Sequence, residues 1–172
     1  MTGIVSAICT RAMPGLPKYE RMEGVVVTHF GLDDDYQVMP LVGVPRSLFG
    51  TKQNADGHIT VLAKETLAAV NERLGLCLIA GDLGENILVQ GLGDLSEIPN
   101  GTAISIGSRV TLRVVKQHEP DEALRIHDPR ILQALSGRSG LRCVVESGVC
   151  QKIWPQDEVT IRVIQKFARA AS

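Results

Sequence analysis

The stretch Gly81–Val115, GDLGENILVQGLGDLSEIPNGTAISIGSRVTLRVV, decides the fold class. It opens on a glycine-spaced acidic turn, Gly81-Asp82-Leu83-Gly84-Glu85-Asn86, and continues into the apolar run Ile87-Leu88-Val89. Gly91 and Gly93 follow, then Pro99-Asn100-Gly101, and two β-rich runs separated by Gly107. Val, Ile and Thr favour extended backbone, and glycine or Asn-Gly at the end of each run punctuates tightly turned antiparallel strands. The spacing predicts a meander with the remaining strands and two helices assembled around it.

Outside this stretch the strand text continues. Gly3–Thr10, Gly24–Phe30, His58–Leu62, Val110–Gln117, Leu141–Val145, Val149–Trp154 and Glu158–Ile164 all read as short strands. Ala63–Leu74 switches to helical spacing, with Leu67, Val70 and Leu74 on one face and Gly75 as its stop. A second helix is signalled by Asp128 as N-cap, Pro129 at the first helical position and Gly137 at the end. Eight to ten short strands with two helices predict a mainly β barrel or sandwich, not a Rossmann-type sheet with a helix between most strands. Residues 37–56 read as a long irregular loop, and the tail from Gln165 to Ser172 as a frayed helical end.

The 172 residues suit one domain, residues 1–172. With 18 basic and 19 acidic residues and no block of like charge, nucleic acid is not an expected partner. Aromatic content of 3% leaves little material for base-stacking platforms. Apolar runs are too short to cross a bilayer, and the N-terminus lacks a basic region followed by a sustained apolar segment. No membrane partner and a cytoplasmic location are therefore expected. The four cysteines, Cys9, Cys77, Cys143 and Cys150, are scattered without a C-x-x-C pair and read as free thiols.

Several polar groups are candidates for chemistry. The glycine loops can present backbone N–H groups to an anion or simply turn the chain. Glu85 and Asn86 can orient a ligand or cap a turn. His118-Glu119-Pro120-Asp121-Glu122 with His127-Asp128 concentrates metal-ligand types, but neither H-x-x-x-H nor H-E-x-x-H occurs, so a solvated loop is the expectation and no metal site is assigned. Arg138 and Arg142 flank a loop as a potential oxyanion grip, or as a basic turn in solvent. Cys143 and Cys150 are candidate nucleophiles wherever the surroundings lower a thiol pKa, and packing thiols otherwise.

Taken together, these pieces resemble the MOSC domain, the module found at the C-terminus of molybdenum-cofactor sulfurases and as small stand-alone proteins. The resemblance is carried by Gly31-Leu32-Asp33-Asp34-Asp35, the His58–Leu74 strand–helix unit, Gly84-Glu85-Asn86-Ile87, Gly91-Leu92 and the Gly101 and Gly107 turns. Arg138-x-Gly140, Gly148 and Asp157-Glu158-Val159 continue it, over roughly residues 20–165. It implies an antiparallel β-barrel with about two inserted helices and a role with molybdenum cofactor or activated sulfur; some relatives reduce N-hydroxylated compounds. The family has a cysteine directly after a proline beyond the long central strand, and here Pro120 is followed by Asp121. A carboxylate cannot form a persulfide and is a harder ligand than a thiolate. Persulfide carriage at this position is thereby excluded.

Three functions follow as expectations. The first is binding of molybdenum cofactor or a related small anion in a pocket lined by Glu85, Asn86, Asp121, Arg138 and Arg142. The second is a thiol-dependent sulfurtransferase using Cys143 or Cys150. The third is an interaction module using the loop over residues 37–56, with a protein partner in sulfur or cofactor delivery.

Overall fold

A computed structural model describes residues 1–36 and 57–162. The described strands are β1 (Thr2–Thr10), β2 (Tyr19–Glu20), β3 (Val25–Thr28), β4 (Gly31–Leu32), β5 (Ile59–Ala63) and β6 (Ile87–Gln90). They continue with β7 (Ala103–Ile106), β8 (Val110–Gln117), β9 (Leu141–Ser147), β10 (Lys152–Ile153) and β11 (Glu158–Arg162). Two α-helices, α1 (Lys64–Leu74) and α2 (Ile131–Leu135), and a 3₁₀ helix over Glu122–Ile126 complete the described elements.

The sheet runs β11-β7-β8-β9-β5-β6-β1, and pairing of β1 with β11 closes it into a seven-stranded barrel. β2 pairs with the last two residues of β1, Cys9↔Glu20 and Thr10↔Tyr19, while β10, β3 and β4 form a small separate sheet. Closure removes the unpaired strand edges that an open sheet exposes. The expected mainly β barrel with two helices is the observed architecture.

The expected meander is only half present. β7 and β8 form a hairpin around Gly107, in register from Ile106↔Val110 to Ala103↔Arg113. β6 does not join it and pairs with β1 and β5 instead. The β5–β6 pair is parallel, against the expectation of antiparallel pairing throughout. The reason is α1: a helix between two strands returns the chain to the starting end of the barrel, so the second strand runs in the direction of the first. Gly75 ends α1 in the left-handed conformation (φ 69°), with its N–H bonded to the Asn71 carbonyl.

Two apolar clusters follow from this arrangement. The barrel interior is filled by β-branched and leucine side chains, among them Val5, Ile8, Ile59, Val61, Ile87, Val89, Ile104, Leu112 and Val159. The second cluster lies between the outer face of the barrel and the helices, with Leu62, Leu67, Val70, Leu88, Leu124, Ile131 and Leu135. The second helix starts later than its sequence suggests. Asp128 accepts from the Arg130 N–H (2.7 Å) and so caps the preceding turn, and α2 begins at Ile131. The segments over residues 37–56 and 163–172, which carry the loop and tail expectations, lie outside the described residues.

Gly140 fixes the start of β9. At φ +99°, a Cβ there would sit 2.3 Å from the Val61 carbonyl oxygen, which is backbone and cannot yield. The same residue's carbonyl accepts from the His118 N–H at 2.8 Å. Gly140→Ala is therefore expected to destabilise the fold by about 2 kcal/mol or more. Urea denaturation measures it, and a loss below about 0.5 kcal/mol would contradict this account of the β5–β9 junction.

Candidate functional site

The site forms where the start of β5, the end of β8 and the start of β9 meet two irregular segments, residues 11–18 and 33–36. The 11–18 segment is tied down by Lys18 N–H to the Gly81 carbonyl (3.0 Å) and by Arg11 Nη1 to the Pro17 carbonyl (3.0 Å). Gly81 permits this approach, because a Cβ on it would meet the Lys18 carbonyl oxygen at 2.1 Å. The 33–36 turn is anchored by Tyr36 N–H to the Arg11 carbonyl (2.7 Å).

Asn86, fully buried just before β6, joins all of these pieces. Its N–H donates to the Thr60 carbonyl (2.9 Å), and its Oδ1 accepts from the Thr60 N–H (3.1 Å). Its Nδ2 donates to the Cys9 carbonyl (3.2 Å) and to Asp35 Oδ2 (2.8 Å). The same Asp35 oxygen lies 2.9 Å from Lys18 Nζ, and both side chains are almost wholly buried. Burial lowers the Lys18 pKa and Asp35 opposes that shift. The ammonium also lies 5.6 Å from the centre of the Tyr36 ring.

Above this buried chain lies a cavity of about 130 Å³, lined by Lys18, Tyr36, Thr60, Leu83, Gly84, His118, Asp121, Arg142 and neighbours. It shares Tyr36, His118, Asp121 and Arg142 with an adjoining cleft of about 330 Å³ that adds Lys116, Gln117 and Glu119. Arg142 is oriented by Nη1 donating to Thr60 Oγ1 (3.3 Å). His118 is clamped through its backbone, since the Ser139 hydroxyl donates to its carbonyl (2.8 Å). Burial, reinforced by the nearby Arg142 charge, pushes the His118 imidazole down to about 4. At neutral pH it is uncharged and offers one donor and one acceptor nitrogen.

Of the five residues expected to share a pocket, Asp121 and Arg142 line it. Asn86 and Glu85 are fully buried and absent from the lining; Asn86 supports it from beneath through Asp35 and Lys18. Arg138 stands apart, exposed, with its guanidinium 3.7 Å from Asp94. Asp121 is an exposed carboxylate that caps the 3₁₀ helix, accepting from the Ala123 N–H at 2.8 Å. Cys143 is sealed in the barrel core, where burial pushes its thiol up to about 12. Cys150 is exposed in the turn before β10 and lines neither cavity. His127, grouped with His118 in the sequence, turns instead to the Asp82 carbonyl (3.1 Å). Among the described residues no cluster of three His, Cys, Asp or Glu could hold a metal ion, and no helix is long and apolar enough to cross a membrane.

Sequence reading missed Lys18, Asp35, Tyr36 and Thr60. Asp35 was visible only as the end of an acidic turn, and nothing local distinguishes it from the exposed Asp34.

Glu85 has a different task. Its Oε1 accepts from the Gly81 N–H (2.8 Å), holding the glycine turn closed, while Oε2 is buried with no hydrogen-bond partner among the described residues. Burial raises its pKa above the ordinary 4.5, so the neutral acid is the form the fold favours. A carboxyl raised on folding contributes stability at pH below its ordinary value and loses it as pH climbs through the folded value. Glu85→Gln keeps the acceptor and removes the ionisation. Its stability relative to wild type should therefore improve as pH rises above the ordinary carboxyl range toward neutrality. A gap that stays flat in urea melts over that range would contradict the assignment.

A family model for the MOSC domain matches residues 28–160, well over half of the chain. Among solved structures the fold is similar to the YuaD protein from Bacillus subtilis, at 17% identity and a TM-score of 0.77, covering 96% of this chain and 98% of that one. It is also similar to YiiM from Geobacillus stearothermophilus, at 19% identity and TM-score 0.67, covering 94% of this chain and 75% of that one. YiiM from Escherichia coli is similar at 18% identity and TM-score 0.65, over 100% of this chain and 72% of that one. Identities this low speak to the shared fold alone. No curated protein sequence gives a significant match. With the domain model spanning β4 through most of β11, the chain belongs to the MOSC domain family.

Proposed function

We propose that the chain binds an anionic ligand of the molybdenum-cofactor kind in the cleft between Lys18, His118 and Arg142, and that it does so without carrying sulfur. The observation that supports this most is the convergence of a buried ammonium, a guanidinium and a neutral imidazole on one small cavity whose described lining holds no thiol. The inner cavity has room for a phosphate-sized group and the outer cleft for a larger body. Arg142 offers a planar fork of donors, Lys18 a point charge fixed by Asp35, and Thr60 a hydroxyl.

The donor set fits the anionic end of such a cofactor and not its metal end. A soft metal–sulfur centre is best met by a thiolate, whereas here the proline-adjacent residue is Asp121, whose carboxylate is committed to the Ala123 N–H. Lys18, Arg142 and His118 would hold the anionic group, and a bound cofactor of this kind would supply oxidation–reduction chemistry at its metal. The sulfurtransferase reading has less support: Cys143 is sealed from solvent, with its thiol held far from the thiolate form, and Cys150 lies outside the cleft lining.

Inorganic phosphate and molybdate are suitable first probes. An anion beside Arg142 offsets the field that depresses His118, so its NMR titration midpoint should start near 4 and rise by about one unit on saturation. Arg142→Gln should weaken anion binding by about tenfold or more in calorimetry. A His118 midpoint indifferent to both anions, with no measurable heat of binding, would overturn the reading. Pterin fluorescence or molybdenum in the purified protein would favour the cofactor over a free oxyanion.

A further inference from the structure

Lys18 lines the inner cavity although its side chain is 3% exposed, which is unusual company for a lysine whose only task is to balance Asp35. Lys64, Lys116 and Lys152, the other described lysines, are all exposed on the surface. The residue is held at its backbone by the N–H on the Gly81 carbonyl, and its Nζ lies against Asp35 with the Tyr36 ring nearby. Asp35 is in turn held by the Asn86 amide. A lysine amine becomes a nucleophile when it is held desolvated beside a group that can take its proton. Here Asp35 stands 2.9 Å away, and the uncharged His118 imidazole faces the same cavity.

We propose that Lys18 forms an imine with a small carbonyl compound that carries a carboxylate, such as a 2-oxo acid, whose anionic end rests on Arg142. This rests on the anion-binding reading of the same cleft and names a ligand class for its inner end. The cavity of about 130 Å³ corresponds to about four water molecules at ~30 Å³ each, enough for an oxo acid of a few heavy atoms.

The step balances without an oxidant or reductant. The ammonium gives one proton to Asp35, and the free amine adds to the carbonyl carbon. The added nitrogen passes one proton to the carbonyl oxygen to give a neutral carbinolamine, and Asp35 returns the proton it took to that same oxygen. Departure of that oxygen as water leaves the protonated imine, so one amine and one carbonyl become one imine and one water. Burial, which lowers the Lys18 pKa, favours the amine form that the addition needs, and the Arg142 charge acts in the same direction.

The test is borohydride trapping of the full chain with glyoxylate or pyruvate at neutral pH, read by intact mass and peptide mapping. The expected result is a single reduced adduct on Lys18, formed at least about tenfold faster than on Lys116 or the other amines. Arg142→Gln, with Lys18 in place, should slow the adduct with the oxo acids about tenfold more than it slows trapping of a neutral aldehyde. Lys18→Arg, its fold checked by circular dichroism, should lose the fast phase. An unmodified Lys18, or labelling spread evenly over all amines, would overturn the proposal. If phosphate still binds the same protein, only the imine falls; loss of both phosphate binding and labelling removes the anion-binding reading with it.

Discussion

The hydrogen bonds of one amide side chain hold the barrel and the cleft together. Asn86 sits at the lower end of the parallel β5–β6 pair, where the regular ladder begins only at Val61↔Ile87. Its side chain replaces the missing ladder bond to Thr60, reaches across to β1 at Cys9, and holds the carboxylate that in turn fixes Lys18. A buried charge pair is strongly destabilised when one partner or its supporting hydrogen bond is lost. The same bonds that set the register of β5, β6 and β1 therefore set the position of the cation in the cleft. Strand register and the placement of the cleft cation are not separable here, because they use the same atoms.

Much of the framework was legible in the sequence, for local reasons. The β7–β8 hairpin rests on alternation and one glycine, and α1 on a leucine–valine stripe ended by Gly75. These signals act within a few residues of each other. The placement of β6 was not legible, because its partners are β1 and β5, far away in the chain, and its Ile-Leu-Val run fits any buried strand equally well. The site shows the same division. Arg142 lies at the second position of β9, where β8 and β5 fix it over Thr60, whereas Arg138 precedes the strand and faces solvent. Lys18 and Asp35 meet only because the 11–18 and 33–36 segments are pinned at Gly81 and Arg11, contacts that no periodicity records.

The barrel also explains the behaviour of the cysteines. Two of the four, Cys9 and Cys143, are fully buried, and their thiols are held well above the ordinary range by burial. Cys77 and Cys150 are exposed and neither lines the cleft. Asp121 caps the 3₁₀ helix beside the cleft, and the cations Lys18 and Arg142 stay in the cleft lining. Beneath them runs a polar floor, with Asn86, Asp35 and Lys18 each in contact with the next.

A double-mutant cycle between Asn86→Ala and Lys18→Met, measured by urea denaturation, tests that linkage most directly. The two residues share Asp35 as a partner, so a coupling energy of about 1 kcal/mol or more is expected, with each single variant destabilised. Strictly additive losses, within about 0.3 kcal/mol, would show that the amide and the ammonium act independently and would contradict the account.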